Sequence, residues 1–528
     1  MIGSLLPLTV GIPLLAAGLT AMLATRRSLS TVILLATLVL NLGAAALLTA
    51  ESFDGTVHAH QVGGWIPGVS IPFVVDGFSA PMMVVAGLLV LVCVSFAITA
   101  GTGRNRLFAP LILVLLAGVN GALFTADLFN LFVFIEVMLL PSYGLLIISR
   151  PGEGTLRAVI GSRMYVTFNL FVSTLFLAGV GLVYGTAGTV NMAELAGAAG
   201  QNSTTAAAAA TCIAALCMKA AVVPVHGWLA LTYPSTSPAI TALFSGLHTK
   251  VAIYGVYRLY AVLFAGAEQY LWIGVALFSA TMLVGVLGAV GEGRMRSILA
   301  FHMVSQIGYI LLGVALFTQA GLTAGIFYLL HHMIVKASLF LSAGAIETRA
   351  GTDRLEDLRG RIGAEPLLAA AFAIAALSLA GLPPFSGFFA KLTLIVASVE
   401  KGEVYAVVIA LVVSLITLLS MLKIFNVVFS PTVTRTQPTL PLSVDDGPPP
   451  AVVGAPQSGA SSERGVGTAV AEKEITYERT PLRLALPGAA LACVTLALGL
   501  GAEGLLAIAE TAAAGLLDTT AYVEALLP

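Results

Sequence analysis

Five ionisable side chains lie deep inside long apolar stretches of this sequence. They are four lysines and one glutamate: Lys219, Lys250, Lys336, Lys391 and Glu136. An ionised group at the middle of a membrane costs about 2.5–3.5 kcal/mol on insertion scales, so five of them cost about 12–17 kcal/mol. An ordinary domain has a net stability of only about 5–15 kcal/mol. Packing alone does not justify such a cost, and this favours a functional role for the set.

The chemistry that these side chains offer is proton transfer. The alternative is a set of structural salt bridges, because buried ions usually pair. One glutamate cannot neutralise four lysines, however, so some lysines must lie in a hydrated interior or lose their proton through desolvation. A lysine that changes its protonation state is what a proton relay requires.

Histidine and hydroxyl side chains extend the candidate relay. His332 and Lys336 are four residues apart and share a helix face, so a proton could pass between them directly or through one water. A hydrogen-bonding role in the core is the alternative for His332, and His331 should point elsewhere. Ser305 and Tyr309 either form hydrogen bonds across helices or line a wet path. None of these histidines has a second ligand at metal spacing.

Apolar stretches of membrane-spanning length must position these residues. Hydrophobic residues make up 58% of the 528 and charged residues only 10%, with a mean hydropathy of +0.99. A soluble chain is nearer one-quarter charged, so lipid must be the main solvent. The net charge of −1 does not indicate the basic surface that nucleic-acid binding requires. We predict an all-α membrane protein of about fourteen helices, near 3–24, 30–50, 74–99, 107–125, 128–149, 164–185, 204–225, 236–262, 269–290, 297–318, 322–346, 366–398, 403–429 and 482–502.

The basic residues predict the orientation of these helices. With the N-terminus outside, the outer loops carry only Lys401, and the inner loops carry nineteen basic residues: Arg26, Arg27, Arg104, Arg106, Arg150, Arg157, Arg163, Arg294, Arg296, Arg349, Arg354, Arg359, Arg361, Lys423, Arg435, Arg464, Lys473, Arg479 and Arg483. If one helix had been miscounted, the basic residues after it would fall on the opposite side and the positive-inside bias would disappear. We therefore expect a multi-pass protein of the cell membrane with both termini outside.

Prolines predict that two of the helices are broken. Pro224 follows Lys219 by five residues, and Pro383 and Pro384 precede Lys391. A single helix over 366–398 would be about 50 Å long, against a hydrocarbon core of about 30 Å. A break at the two prolines removes this excess. Two broken helices in comparable places indicate a repeated transporter core, although a simple kink is the alternative for either helix alone.

Three further features have less direct roles. Residues 431–480 are rich in Pro, Gly, Ser and charge, which is typical of a disordered cytoplasmic linker that is either an inert tether or a binding segment. Arg258, near the outer end of its helix, should snorkel to water in a structural role. The sequence does not locate a sodium site. Asp76 and Asp127 could contribute to one, but as interfacial residues they are also typical helix caps.

Five stretches, in this order, resemble the antiporter-like proton-channel family, which includes the large antiporter-like subunits of respiratory complex I and of Mrp multisubunit sodium/proton antiporters. The resemblance covers roughly residues 70–430. Its segments are TADLFNLFVFIEVMLLPSYGLL, KAAVVPVHGWLALTYPSTSPAITALFSGLHTK, RSILAFHMVSQIGYILLG, HHMIVKASLFLSAGAIE and GLPPFSGFFAKL. It implies N-terminal helices 1–3 in 1–100, two inverted five-helix repeats in 107–262 and 269–429 with helices 7 and 12 broken, and a last helix with an outer tail in 482–528.

The resemblance also implies roles for the buried charges. Lys219 would be the central proton carrier and Glu136 its modulator. Lys250 and the His332–Lys336 pair would pass the proton laterally, and Lys391 would lie at the exit half-channel. A chain of this family carries no redox cofactor of its own, and works with other subunits of a hetero-oligomer on protons and Na⁺ or another monovalent cation.

Within the family, two kinds of subunit remain after the others are set aside. Lys391 stands where the M-type subunit of complex I has glutamate, and little follows the last helix, unlike L-type and Mrp A-type subunits. The sequence then most resembles Mrp D-type subunits, with complex I N-type subunits second. We expect an ion-transporting subunit of a cation/proton antiporter and not an enzyme. The alternatives are the proton-pumping arm of a quinone-reducing or hydrogenase enzyme, and a structural scaffold.

Overall fold

The computed structural model describes residues 3–66, 70–148, 156–359, 365–429 and 479–527. These residues form a two-stranded sheet of β1 (His58–Gln61) and β2 (Pro72–Val75), and twenty α-helices. The helices are α1 (Leu6–Met22), α2 (Arg27–Glu51), α3 (Ser79–Ala100), α4 (Phe108–Phe124), α5 (Leu128–Ile148), α6 (Leu156–Ala187), α7 (Ala198–Gln201), α8 (Ser203–Lys219), α9 (Gly227–Thr232), α10 (Pro238–Leu263), α11 (Leu271–Gly291), α12 (Met295–Leu316), α13 (Gln319–Ala350), α14 (Leu355–Leu358), α15 (Pro366–Ala380), α16 (Ser386–Glu400), α17 (Val404–Phe429), α18 (Leu482–Leu500), α19 (Ala502–Leu517) and α20 (Thr520–Leu526).

The helical membrane architecture predicted from composition is confirmed. Within the described ranges, eleven helices are long and apolar enough to cross a membrane, and α4, α8 and α15 are shorter apolar helices. The number of fourteen crossings stays a prediction, because α8 and α15 each need a following segment to complete a span. Nearly all of the predicted linker, 431–480, lies outside the described residues.

Both predicted helix breaks are present. Helix α8 ends at Lys219 and α9 begins at Gly227, and helix α15 ends at Ala380 and α16 begins at Ser386. A helix break in a membrane leaves carbonyl oxygens that the protein must satisfy. At the first break, the indole of Trp228 donates to the carbonyl of Met218 (3.1 Å).

The second break is satisfied by one of the buried lysines. The ammonium group of Lys391 donates to the carbonyl of Ala380 (2.9 Å), the last residue of α15. The same side chain therefore stabilises the broken backbone and is held at the break.

Helices α10, α12 and α13 form the centre of the molecule. In the most apolar stretch of each of these helices, 94–100% of the residues are buried inside the protein. In the corresponding stretches of α1, α2 and α17, only 33–39% of the residues are buried. A helix that is apolar on all sides requires such a central position. Lys250 and Lys336 lie on two of these central helices, so the fold alone removes both from lipid and from bulk water.

Two helix pairs pack through glycines in a matching way. Helix α4 packs on α5 where the ring of Phe134 lies against Gly121, and α11 packs on α12 where the ring of Phe301 lies against Gly288. Each residue of the second pair lies 167 positions after its counterpart in the first. A side chain at either glycine would collide with the ring, so both positions allow the same close approach of two helices.

The C-terminal end folds back onto the molecule, which the sequence did not predict. Helix α19 lies beside α13, where the Gln319 side chain donates to the carbonyl of Glu510 (3.0 Å). Helix α20 lies beside β1, where the Gln61 side chain donates to the carbonyl of Leu526 (3.2 Å). These contacts attach α19 to the central helix α13 and α20 to the sheet.

Candidate proton-transfer site

The first part of the site lies at the first helix break. Lys219 is 2% exposed, and its ammonium group donates to the amide oxygen of Asn169 on α6 (3.1 Å). Glu136 on α5 is half-buried, and one of its carboxylate oxygens, Oε1, is buried without a hydrogen-bond partner. The carboxylate lies close enough for its charge to act on Lys219, but the two do not form an ion pair within 4.0 Å. A carboxylate and a lysine held near each other without contact can exchange a proton through an intervening water.

His248 connects three helices beside this pair. Its Nε2 lies 2.9 Å from the hydroxyl of Ser142 on α5, and its Nδ1 lies 3.3 Å from the hydroxyl of Tyr165 on α6. The imidazole is 1% exposed and lies two residues before Lys250 on α10. Both ring nitrogens therefore have hydroxyl partners that can accept and donate a proton.

The middle of the site contains three fully buried groups with few partners. Lys250 is 0% exposed and donates only to the neighbouring Thr249 hydroxyl (3.2 Å). Neither ring nitrogen of His332 has a hydrogen-bond partner among the described residues. Lys336 donates to the carbonyl of Leu299 on α12 (2.8 Å) and forms no hydrogen bond with either ring nitrogen of His332. A buried imidazole always carries at least one N–H group, so this arrangement favours the predicted transfer through a water over direct transfer.

The last part of the site lies at the second break. Besides the Ala380 carbonyl, the ammonium group of Lys391 donates to the Ser414 hydroxyl (3.0 Å) and lies 5.1 Å from the centre of the Tyr309 ring. His331 points away from His332, as predicted, and its Nδ1 lies 2.8 Å from the hydroxyl of Ser386. The start of α16 is thereby attached to the central helix α13.

The ion pairs of the described residues lie away from these four lysines. They are Arg258–Asp76, Arg294–Asp353, Arg296–Glu347, Arg349–Glu365 and Lys401–Glu268. Arginines and carboxylates at helix ends pair with each other, whereas Lys219, Lys250, Lys336 and Lys391 take only neutral acceptors. When a lysine that is paired with a carboxylate loses its proton, a buried negative charge is left without a partner. A lysine with a neutral acceptor leaves no such charge when it gives up its proton.

The family follows from comparison with known proteins. Residues 125–417 match the family described as NADH:quinone oxidoreductase/Mrp antiporter, TM. The chain is 34% identical to the D-type subunit of the Na(+)/H(+) antiporter of Alkalihalophilus pseudofirmus, over 99% of both chains. It is 32% identical to the corresponding Na(+)/H(+) antiporter subunit of Bacillus subtilis, over 79% of this chain and 85% of that one. The chain belongs to the NADH:quinone oxidoreductase/Mrp antiporter family.

Two solved structures have the same fold. A chain in the structure of the Mrp complex from Dietzia sp. DQ12-45-1b is 53% identical and superposes with a TM-score of 0.90, over 100% of both chains. A chain of respiratory complex I from Thermus thermophilus is 23% identical, with a TM-score of 0.69 over 94% of this chain and 98% of that one. The second likeness concerns the fold alone.

Two expectations about charged residues at the ends of the helices are settled by the geometry. Arg258 is 2% exposed and pairs with Asp76 (2.6 Å), so the prediction that it snorkels to water is wrong, although its role is structural. Asp76 accepts hydrogen bonds from the backbone and hydroxyl of Ser79 at the start of α3. Asp127 accepts one from the backbone of Asn130 at the start of α5 (2.7 Å). Both aspartates thus act as helix caps.

Two hydroxyl side chains were predicted either to bridge helices or to line a hydrated path. Both of them bridge helices. Ser305 donates to the carbonyl of Met282 on α11 (2.9 Å), and Tyr309 donates to the carbonyl of Ala410 on α17 (2.5 Å). Within the described ranges, the protein has no group of three or more His, Cys, Asp or Glu side chains that could hold a metal ion.

Sequence reasoning missed the neutral partners that complete this candidate site. Asn169, Ser142, Tyr165, Ser386 and Ser414 each contact one of its ionisable side chains. Asn169 was the most visible of them, because an amide in the apolar run TFNLFV needs a partner inside the protein. The serines and the tyrosine carry no such signal, since their hydroxyls can also bond to their own helix.

Proposed function

We propose that this chain is the proton-translocating D-type subunit of a multisubunit Na⁺/H⁺ antiporter in the plasma membrane. It acts within a hetero-oligomer that uses the protonmotive force to expel sodium while protons enter. The observation that carries the proposal is the set of four buried lysines that take no carboxylate partner. The D-type antiporter subunits that match this chain over most of its length support it.

A polar column on α10 connects the first part of the site to a cavity at the start of that helix. Ser237 and Pro238, at the start of α10, line a cavity of about 670 Å³ together with Arg104 and Glu347. From Ser237, the buried hydroxyls of Thr241 and Ser245 continue along the same helix to His248. These positions are three or four residues apart and therefore share one helix face.

The relay then runs from one helix break to the other. Protons pass between Glu136 and Lys219 at the first break, and from there to Lys250, with His248 between the two lysines. Lys250 and Lys336 lie on the packed helices α10 and α13, close enough for their charges to interact, with His332 one turn before Lys336. Lys391 delivers the proton at the second break.

The site rests on two repeats of the same helical unit. We assign the first repeat to 107–262 and the second, inverted one to 269–429, preceded by helices in 1–100 and followed by a linker in 431–480 and a last segment in 482–528. The matching glycine contacts of α4–α5 and α11–α12 support the assignment, as do the two helix breaks. Both termini lie on the outer side in this arrangement.

The test is proton exchange by the whole complex in vesicles. Glu136→Gln and Lys219→Ala should each abolish sodium-dependent proton exchange while the complex still assembles, because each variant removes a proton-carrying group and leaves the surrounding helices in place. Ser342→Ala, which removes a buried hydroxyl without a hydrogen-bond partner on α13, is the control. Normal exchange by both variants would refute the proposal, and so would purification of the chain with redox-cofactor subunits.

A further inference from the structure

Another buried histidine lies in the second half of the molecule and has no place in the relay of lysines, His248 and His332. His302 on α12 is 0% exposed. Its Nε2 lies 2.9 Å from the hydroxyl of Ser420 on α17, and its Nδ1 has no hydrogen-bond partner. A buried imidazole with one free nitrogen is costly unless it is used, because the free nitrogen has lost its hydrogen bond to water.

Helix α12 places His302 between the last two lysines of the relay. Lys336 donates to the carbonyl of Leu299, which is three residues before His302. Lys391 lies over the ring of Tyr309, which is seven residues after His302. Positions separated by three and seven residues share a helix face, so both ammonium groups lie along the face that carries His302. The charges of both lysines act on its ring.

Helix α17 offers hydroxyl groups along the same interval. Ser420 contacts His302, and Ser414 donates to the Ala380 carbonyl and accepts from Lys391. Thr417 lies midway between the two serines and is 0% exposed. The three hydroxyls are spaced by three residues and thus form a hydroxyl row from His302 to Lys391, defined as Ser420, Thr417 and Ser414. At 1.5 Å per residue this row covers about 9 Å of helix.

We propose that His302 is a proton-carrying residue between Lys336 and Lys391, acting with this hydroxyl row. Through an intervening water, an Nζ–H bond of Lys336 breaks as an Nδ1–H bond forms on the neutral imidazole. The Nε2–H bond then breaks towards Ser420, and the neutral amine of Lys391 gains a proton through Thr417 and Ser414. One proton has moved, and His302 is neutral again. The inference rests on the proposed function of the chain and adds a residue to its path.

The test compares two residues of equal size in the whole complex reconstituted in vesicles. His302→Gln preserves a hydrogen bond to Ser420 but cannot carry a proton, and should reduce sodium-dependent proton exchange at least about tenfold, since positioned acid–base groups typically contribute more than that. His302→Glu restores a titratable group between the two lysines and should recover part of the exchange. Equal rates for the Gln and Glu variants, whether high or low, would overturn the proposal.

Two further variants separate the possible failures. If both histidine variants fail to assemble with their partner subunits, Ser420→Ala replaces them as the test, with a reduction of about threefold expected and normal exchange overturning the proposal. Lys219→Ala is measured in parallel. Loss of exchange in Lys219→Ala with equal rates in the two His302 variants rejects this inference alone, whereas normal exchange in both Lys219→Ala and Glu136→Gln rejects the proposed function itself.

Discussion

At the scale of single residues, the site is defined by what its lysines bond to. A buried lysine with a carboxylate partner is held in its charged form, because removing the proton would leave the carboxylate unpaired. Lys219 instead has the amide oxygen of Asn169, and Lys336 has the carbonyl of Leu299. Neutral acceptors stabilise the ammonium group only modestly, which is what the proposed proton transfer requires.

The Asn169 amide should control how readily Lys219 takes up a proton. Replacing it in Asn169→Leu removes the acceptor of the Lys219 ammonium group, and hydrogen bonds to charged groups are worth about 1.5–3 kcal/mol. We expect sodium-dependent proton exchange to fall about tenfold or more while assembly is preserved. Ser173→Ala, one turn further along α6, removes a buried hydroxyl that has no hydrogen-bond partner and should leave exchange unchanged. Equal activity of the two variants would contradict this prediction.

The Asp76–Arg258 pair should matter for stability and not for transfer. Burial by itself raises the pKa of Asp76, but the charge of Arg258 and the hydrogen bonds from Ser79 bring it below the ordinary value. Because folding lowers the pKa of Asp76, its ionised carboxylate stabilises the folded protein at pH values above the unfolded-state pKa, about 3.9. This stabilisation is lost as the pH falls through the folded-state pKa. Asp76→Asn leaves Arg258 buried and unpaired, which should cost about 3–5 kcal/mol.

Thermal unfolding of the purified complex measures this contribution. At neutral pH, the variant Asp76→Asn should unfold at a lower temperature than the unmodified protein, and the difference should shrink below about pH 4 as Asp76 itself becomes protonated. Glu51→Gln changes an exposed carboxylate at the end of α2 and serves as the control. A difference that is constant from pH 7 down to pH 3 would show that the pair does not act through its charge.

At the scale of helices, the two breaks were predictable from the sequence. The side chains that satisfy the free carbonyl groups at the breaks were not. Proline in a helix removes a backbone donor, so Pro224, Pro383 and Pro384 indicated broken helices from the sequence alone. Nothing in the sequence indicated that Trp228 and Lys391 would satisfy the released carbonyls, because those contacts depend on how distant parts of the chain fold around the breaks. The helices α19 and α20 were missed because they follow the last strongly apolar stretch.

The second break should be sensitive to a single methyl group. A Cβ atom added at Gly387 would collide with the backbone carbonyl of Ser378, and neither is the end of a flexible side chain. Gly387→Ala should therefore push α16 away from α15, displace Lys391 and abolish exchange or assembly. Gly181→Ala on α6 is the matched control, because an added Cβ meets nothing within 4 Å there. Exchange rates and complex yield measure the difference, and similar values for both variants would contradict the close packing at the break.

At the scale of the whole molecule, charge is distributed in two ways. The five ion pairs among the described residues involve helix ends or loops, and the four lysines of the candidate site lie on or next to the central helices. Composition and spacing predicted which side chains are buried, because charge inside an apolar run is visible in the sequence. They did not predict the lateral order of these side chains across α10, α12 and α13, which depends on tertiary packing.

The orientation of the molecule in the membrane can be tested with two cysteines. The positive-inside bias predicts that the 431–480 segment is inside and that the start of α20, beyond the last apolar stretch, is outside. In a Cys493→Ala background, which removes the exposed native cysteine, Ser458→Cys should react with an impermeant maleimide only in inverted vesicles, and Thr520→Cys should react in intact cells. Labelling of Ser458→Cys from outside would reverse the predicted orientation of the whole molecule.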